Sequence, residues 1–240
     1  MAEKNPDGAA PTTSTSIAGF PARATRVRFG GTALDLYGVA DLEALVDRDA
    51  LLRGDAEPPY WAYLWSGARA VADYLTRWTS VRGRRVLEIG CGLGLPGAVA
   101  AAAGADVTFV DGARPALAFV RATLRANGLR GACVCADYRL LSPRARFALV
   151  LAAEVAYEPE RFDDLAATLA RHLAPDGLAL VADGFRTDTR PLYRALAAHG
   201  LVTRALELRM TEEGRPARVR LTEAWRPATF SSQHLLGISR

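Results

Sequence analysis

At 240 residues, half of them apolar and 23% charged, the chain is long enough for one sizeable hydrophobic core. It is composed like a globular protein rather than a disordered or fibrous one. The net charge of +4 is carried almost entirely by arginine, with Lys4 the single lysine, and is too small to point to nucleic acid by itself. Cys91, Cys133 and Cys135 lack metal-finger spacing, no apolar run approaches the ~18 residues of a membrane span, and the opening residues hold no secretory core; a reduced, cytoplasmic setting with no metal is expected.

Residues 1–24 are rich in Pro, Thr, Ser, Ala and Gly without periodicity, and are read as a disordered tail. Residues 25–57 are read as a hairpin and lid segment. Arg26–Phe29 and Thr32–Tyr37 alternate around Gly30-Gly31, and a short acidic helix or loop from Asp41 to Leu52 follows. Pro58 to Arg69 then carries Tyr60, Trp61, Tyr63 and Trp65 just ahead of a helical pattern that ends before Arg82-Gly83. Such rings either pack a helix into the core or roof a pocket, Trp65 first, where an aromatic face attracts an organic cation.

Arg85–Ile89 is a buried-type strand that runs into Gly90, Gly92 and Gly94, and an alanine-rich helix follows from about Leu93 to Ala103. Glycines there let backbone approach a ligand, and the helix start offers free N–H groups and a positive dipole end. Gly92-x-Gly94-x-x-Gly97 matches the dinucleotide pattern. Counted from the strand end, however, the spacing is Gly90-x-Gly92-x-Gly94, with Leu95 where that fingerprint wants its third glycine. Glu88-x-Gly-x-Gly-x-Gly94 resembles motif I of the seven-strand methyltransferases that use S-adenosyl-L-methionine. The resemblance implies that Glu88 lies near the amino end of the methionine moiety and that Gly90, Gly92 and Gly94 underlie the cofactor.

The next strand, Ala105–Asp111, ends in an acid 21 residues after Gly90, where nucleotide-binding sheets hold a ribose diol. A helix from Pro115 to Ala126 stops at Asn127-Gly128. Strand Ala132–Ala136, with Cys133 and Cys135 read as core thiols, leads to Asp137. This residue is either a turn cap or, as in methyltransferases, the acid that bonds the adenine amino group. Strand Phe147–Ala152 leads to Glu154 and Tyr157. A helix to His172, a turn at Pro175–Gly177, a strand at Leu178–Ala182, a helix from Asp188 to Ala198 and a strand pair (201–210 and 217–225) complete the pattern, with 226–240 as a tail. Alternating strands and helices define an α/β fold, a doubly wound, mostly parallel seven-stranded sheet with one antiparallel strand and helices on both faces. Right-handed crossovers then bring Glu88, Asp111, Asp137 and Glu154 to one crevice.

Pro59–Arg69, Arg85–Gly94 and Ala153-Glu-Val-Ala-Tyr-Glu158 together are similar to the family-16 protein lysine methyltransferases, nearest the branch that modifies the electron-transfer flavoprotein β-subunit. The likeness spans roughly residues 26 to 225, and 58–225 form the expected methyltransferase domain. The family's acid-x-x-aromatic motif falls on Glu154 and Tyr157, with Glu where the branch favours Asp. It implies a protein partner presenting a lysine, with Glu154 capturing and orienting the amine and Tyr157 walling the pocket. A free lysine has a pKa near ~10.4, so desolvation must favour its neutral, nucleophilic form. A small-molecule N- or O-methyltransferase and a non-catalytic cofactor-binding module are the alternatives. No Asn-Pro-Pro-Tyr follows the fourth strand and no basic run is interleaved with aromatics, so nucleic acid is not expected.

Overall fold

The computed structural model describes residues 15–46, 48–55, 58–77, 81–142, 145–212 and 215–227. Strands β1 (Thr15–Ile17), β2 (Phe20–Phe29) and β3 (Thr32–Val39) form a small antiparallel sheet, with Phe29 paired to Thr32 across the expected Gly-Gly turn. Residues 15–24, read from composition as part of a disordered tail, instead form β1, the start of β2 and the turn between them. Their polar outer face hides the pairing signal, while residues 1–14 lie outside the described part. Helix α1 (Arg48–Arg53) follows, and then the aromatic segment leads into α2 (Ser66–Leu75).

Seven strands make the central sheet: β4 (Arg85–Ile89), β5 (Asp106–Asp111), β6 (Ala132–Cys135), β7 (Phe147–Ala153), β8 (Leu173–Asp183), β9 (Val202–Glu212) and β10 (Arg215–Trp225). Their order is β6-β5-β4-β7-β8-β10-β9. The five strands from β4 to β8 are parallel, and β10 enters between β8 and β9 antiparallel to both, so one strand runs against the rest. The helices between them are α3 (Leu95–Ala102), α4 (Arg114–Ala126), α5 (Phe162–His172) and α6 (Arg190–Ala198).

The two-residue period of a strand sorts the core into two layers. Val86, Leu149 and Leu151 join α2, α3, α4 and the small sheet on one face, whereas Leu87, Val150 and Ala152 join α5 and α6 on the other. Both faces are covered, which is why β4 and β7 read as apolar runs without alternation. The turn expected at Pro175–Gly177 sits inside β8 as a bulge: pairing jumps from Phe147–Leu173 to Leu149–Leu178. Strand β6 is the sheet edge, so Cys135 is exposed and Cys133 only half-buried, not the core thiols that apolar neighbours implied.

The small sheet is docked on α4. Asn127 exchanges two side-chain hydrogen bonds of 2.9 Å with the backbone of Asp35, and the Tyr37 amide donates to Thr123 Oγ1 at 3.0 Å. Leu34, Leu36 and Val39 are buried beneath it. The hairpin is a layer packed on α4, and residues between 58 and 65 line the crevice. Among the described residues, no helix is long and apolar enough to cross a membrane.

Candidate active site

A cleft of about 370 Å³ opens at the carboxyl ends of β4, β5, β6 and β7, lined by Glu88, Asp111, Asp137, Glu154, Tyr157 and the loop glycines among others. The convergence expected from strand order is therefore present. Loops after parallel strands leave the sheet on one edge, where the order reverses between β5 and β7 about β4.

Its floor is the glycine loop. Gly90, Gly92 and Gly94 have φ of +57°, +51° and +70°, a region closed to most side chains. A Cβ on Gly90 would also stand 2.4 Å from Val155 Cγ1. The chain is thus forced to keep a bare surface facing the cleft, a cradle suited to a close-lying ligand.

Two buried carboxylates each sit on the N-terminus of a helix. Glu88 Oε2 accepts from Gly97 N, in the first turn of α3, at 2.9 Å. Glu154 Oε1 accepts from Gly67 N, in the first turn of α2, at 3.0 Å. Each acid satisfies an amide that the helix leaves unpaired and complements the dipole. The glycines are explained by the acids: a Cβ on Gly97 would lie 2.4 Å from Glu88 Oε2, and one on Gly67 2.5 Å from Glu154 Oε1. The helix-start N–H of Gly97, expected to be free for ligand, is thus already engaged. Burial nonetheless dominates Glu88 and pushes its pKa up to about 8, against the pull of the Gly97 amide and with help from Asp111.

Asp111 ties two loops together, accepting from Gly92 N and Ala113 N at 2.8 Å each, and its pKa is raised by burial. Asp137 caps the 3-10 turn at Tyr138–Leu140 through the Arg139 amide and grips the Arg139 guanidinium with both oxygens. That hydrogen bonding holds its carboxyl below the usual range. Asp137 is thus the turn cap that the sequence offered as one reading, and it also lines the cleft.

The aromatic segment roofs the cleft with Tyr60, Trp61, Tyr63 and Trp65. The alternatives weighed from sequence divide among the rings. Trp61 packs inward, 5.7 Å from Phe119, while Trp65 faces the cleft with its Nε1 donating to Tyr60 O at 3.0 Å. Tyr157 is 46% exposed at the rim, its ring 5.7 Å from that of Tyr60.

Glu154 differs most from its expected setting. It adopts φ +58° directly after β7, a left-handed conformation rare outside glycine. Its amide still pairs with Ala182 O, at 2.7 Å, while its side chain turns inward. Besides Gly67, it accepts from Gly184 N at 3.3 Å and from Arg186 Nη2 at 2.5 Å. Burial raises its pKa, and Arg186 opposes the rise most strongly. Arg186 itself lies over Trp65, its Cζ 4.1 Å from the ring centre. Sequence reasoning missed Gly67, Gly184 and Arg186. The two glycines carry a faint signal, each next to an element end, but one arginine among so many carries none.

The donor set and the cradle fit S-adenosyl-L-methionine. Acids line the cleft where a diol and amino groups would need acceptors, rings are available for a cation, and the bare glycine backbone leaves room for a flat ligand. The fold and this cleft define an S-adenosylmethionine-dependent methyltransferase. A family model described as "Methyltransferase domain" matches residues 86–177. The Danio rerio protein N-lysine methyltransferase METTL21A is 32% identical over 155 residues, covering 58% of this chain and 71% of the relative. Human histone-arginine methyltransferase METTL23 is 34% identical over 45% of this chain and 60% of its own length. The mouse electron transfer flavoprotein beta subunit lysine methyltransferase is 31% identical over 45% of this chain and 43% of its own. The solved magnesium protoporphyrin IX methyltransferase of Synechocystis PCC 6803, with bound SAM, superposes with a TM-score of 0.55 at 17% identity, over 66% of this chain and 77% of that one, a likeness of fold. The chain belongs to the family-16 group of these methyltransferases, together with METTL21A and the flavoprotein enzyme. It spans about two fifths to seven tenths of the length of these curated relatives.

Proposed function

We propose that the chain methylates the ε-amino group of a lysine on a protein. The observation that carries this is the pairing of two ends in one cleft. The glycine cradle with Glu88 and Asp111 is at one end, and buried Glu154 under an aromatic rim is at the other. The names of the lysine-modifying relatives support the same acceptor.

In this reading Asp111 and Asp137 hold the nucleoside part, Glu88 the amino end, Gly90, Gly92 and Gly94 the floor, and Trp65 the roof. S-adenosyl-L-methionine, when bound, supplies a methyl group on a positively charged sulfur. The protein contributes alignment, and the aromatic rim excludes water so that an entering amine is desolvated and favoured in its neutral form. Glu154, fixed by Gly67 and Gly184, orients the acceptor rather than removing its proton, and Tyr157 walls the entrance.

The test is incubation of the protein with tritiated methyl donor and the total protein of host cells lacking this chain, followed by acid hydrolysis. Methyl-lysine is expected. Glu154→Gln is expected to lose it while retaining cofactor affinity. Label confined to metabolites would overturn the protein acceptor, and donor binding without any turnover would overturn catalysis.

A further inference from the structure

We propose that Arg186 selects the form of the acceptor: by occupying Glu154 and the face of Trp65, it leaves the site open to a neutral amine and closed to an ammonium or a guanidinium. The proposal rests on the lysine reading above and adds the residue that sets its chemistry.

A carboxylate beside an aromatic face is a general seat for an organic cation. Here the protein fills that seat itself. The Arg186 guanidinium reaches Glu154 Oε2 at 2.5 Å and lies 4.1 Å above Trp65. It is not a loosely draped surface arginine. The loop that carries it is pinned on both sides: Phe185, at φ +59°, lies under Arg220 and Arg218 with Cζ-to-ring distances of 4.2 and 4.7 Å, and its amide donates to Asp183 Oδ1 at 3.1 Å. Arg220 also bonds the Thr189 hydroxyl, and Thr187 Oγ1 reaches Tyr157 O at 3.5 Å. The loop thus joins the acid and the aromatic of the Glu154–Tyr157 motif.

Two consequences follow from electrostatics. A substrate guanidinium keeps its charge at any working pH and binds best by a two-pronged grip on a free carboxylate. Arg186 denies it both the grip and the charge balance. An amine, by contrast, can lose its proton, and a fixed cation beside it favours that loss. The charged groups around the seat are Glu154 from the end of β7, Asp183 from the end of β8, Arg186, and Arg220 from β10, which lies 3.9 Å from Asp183; the Glu158–Arg161 pair lines the cleft nearby. Glu154 is balanced by Arg186 and Asp183 by Arg220, so removing Arg186 leaves the acid unopposed toward the substrate.

The experiment uses the full chain, tritiated donor and the same acceptor pool, comparing wild type with Arg186→Gln and Arg186→Lys. Rates at saturating acceptor are measured from pH 6 to 9.5, and hydrolysates are analysed for methyl-lysine and methyl-arginine. Wild type is expected to yield methyl-lysine alone. Arg186→Gln is expected to move the acidic limb of the saturated rate upward by about one pH unit, the scale of one charge at short range in a half-solvated site. At pH 7 it should lower the maximal rate about tenfold while lowering, not raising, the apparent KM, because the freed carboxylate attracts the protonated amine. Arg186→Lys keeps the charge and should restore the limb. Donor affinity and Tm are measured for each variant, so a folding defect appears as a loss of both. An unmoved limb in Arg186→Gln, or methyl-arginine from wild type, overturns the proposal. No protein labelling by wild type overturns the lysine reading and, with it, this one.

Discussion

Glu88 makes a direct prediction about cofactor binding. Its carboxyl is fully buried and titrates at about 8, so at pH 6.5 the ligand-free protein holds it protonated. If the acid faces the amino end of the donor, binding requires it to ionise. At pH 6.5 that costs about 2 kcal/mol, from roughly 1.4 kcal/mol per unit below the group's pKa. Binding should then release close to one proton at pH 6.5. The Kd should tighten by up to about tenfold per unit from pH 6 to 7.5 and level off near 8. The donor's own α-amino group, with a pKa near ~7.7–8.0, stays charged over the lower part of that range. Calorimetry at pH 6.5 in two buffers of different ionisation heat measures the proton directly. Glu88→Gln should bind more weakly at pH 8 and show neither the slope nor the buffer dependence. Equal heats in both buffers, or a slope that survives in Glu88→Gln, refute the reasoning. In the ligand-free protein the raised pKa has the opposite sign: stability is favoured at low pH and lost as pH rises from about 4.5 to about 8.

Gly97→Ala places a Cβ 2.3 Å from Phe109 Cε1 and 2.4 Å from Glu88 Oε2, and should cost about 1–3 kcal/mol by overpacking, read as a lower Tm and weaker donor binding. Beneath α2, Glu223 is completely buried and takes hydrogen bonds from the Tyr74 hydroxyl and from Arg204 Nε at 2.6 Å; burial, and then the bond to Glu223, raise the Tyr74 pKa, which Arg204 opposes. Removing it in Glu223→Ala should cost about 2–4 kcal/mol in urea unfolding, less than a fully enclosed pair because Arg204 rehydrates. His172 is buried, its Nδ1 3.3 Å from Ala145 O and its Nε2 without a partner among the described residues. Burial lowers its pKa, so the unfolded chain binds the proton more readily and stability falls as pH drops through the ordinary histidine value. His172→Phe should flatten that acid limb in Tm measured from pH 5 to 8.

Features confined to one element were legible in the sequence. The apolar run of β4, the glycines after it and the acids at strand ends are set by local sterics and periodicity, and fold class and cleft position follow from them. The terminal strand pair was legible as a pair, and its antiparallel entry between β8 and β9 agrees with the one reversed strand expected. Features that depend on a second element were not legible. Cys135 became exposed because β6 is an edge, and residues 15–24 became strands because β3 and α4 gave them somewhere to dock. Glu154 was readable as an acid at a useful place, yet its working charge was not. Arg186 meets it across 32 positions of chain through a loop held by β10. A strand's pattern reports which face is wet, and that is a property of neighbours in sequence. The charge state of a buried carboxylate reports which groups share its low-dielectric surroundings, and only the folded chain decides that.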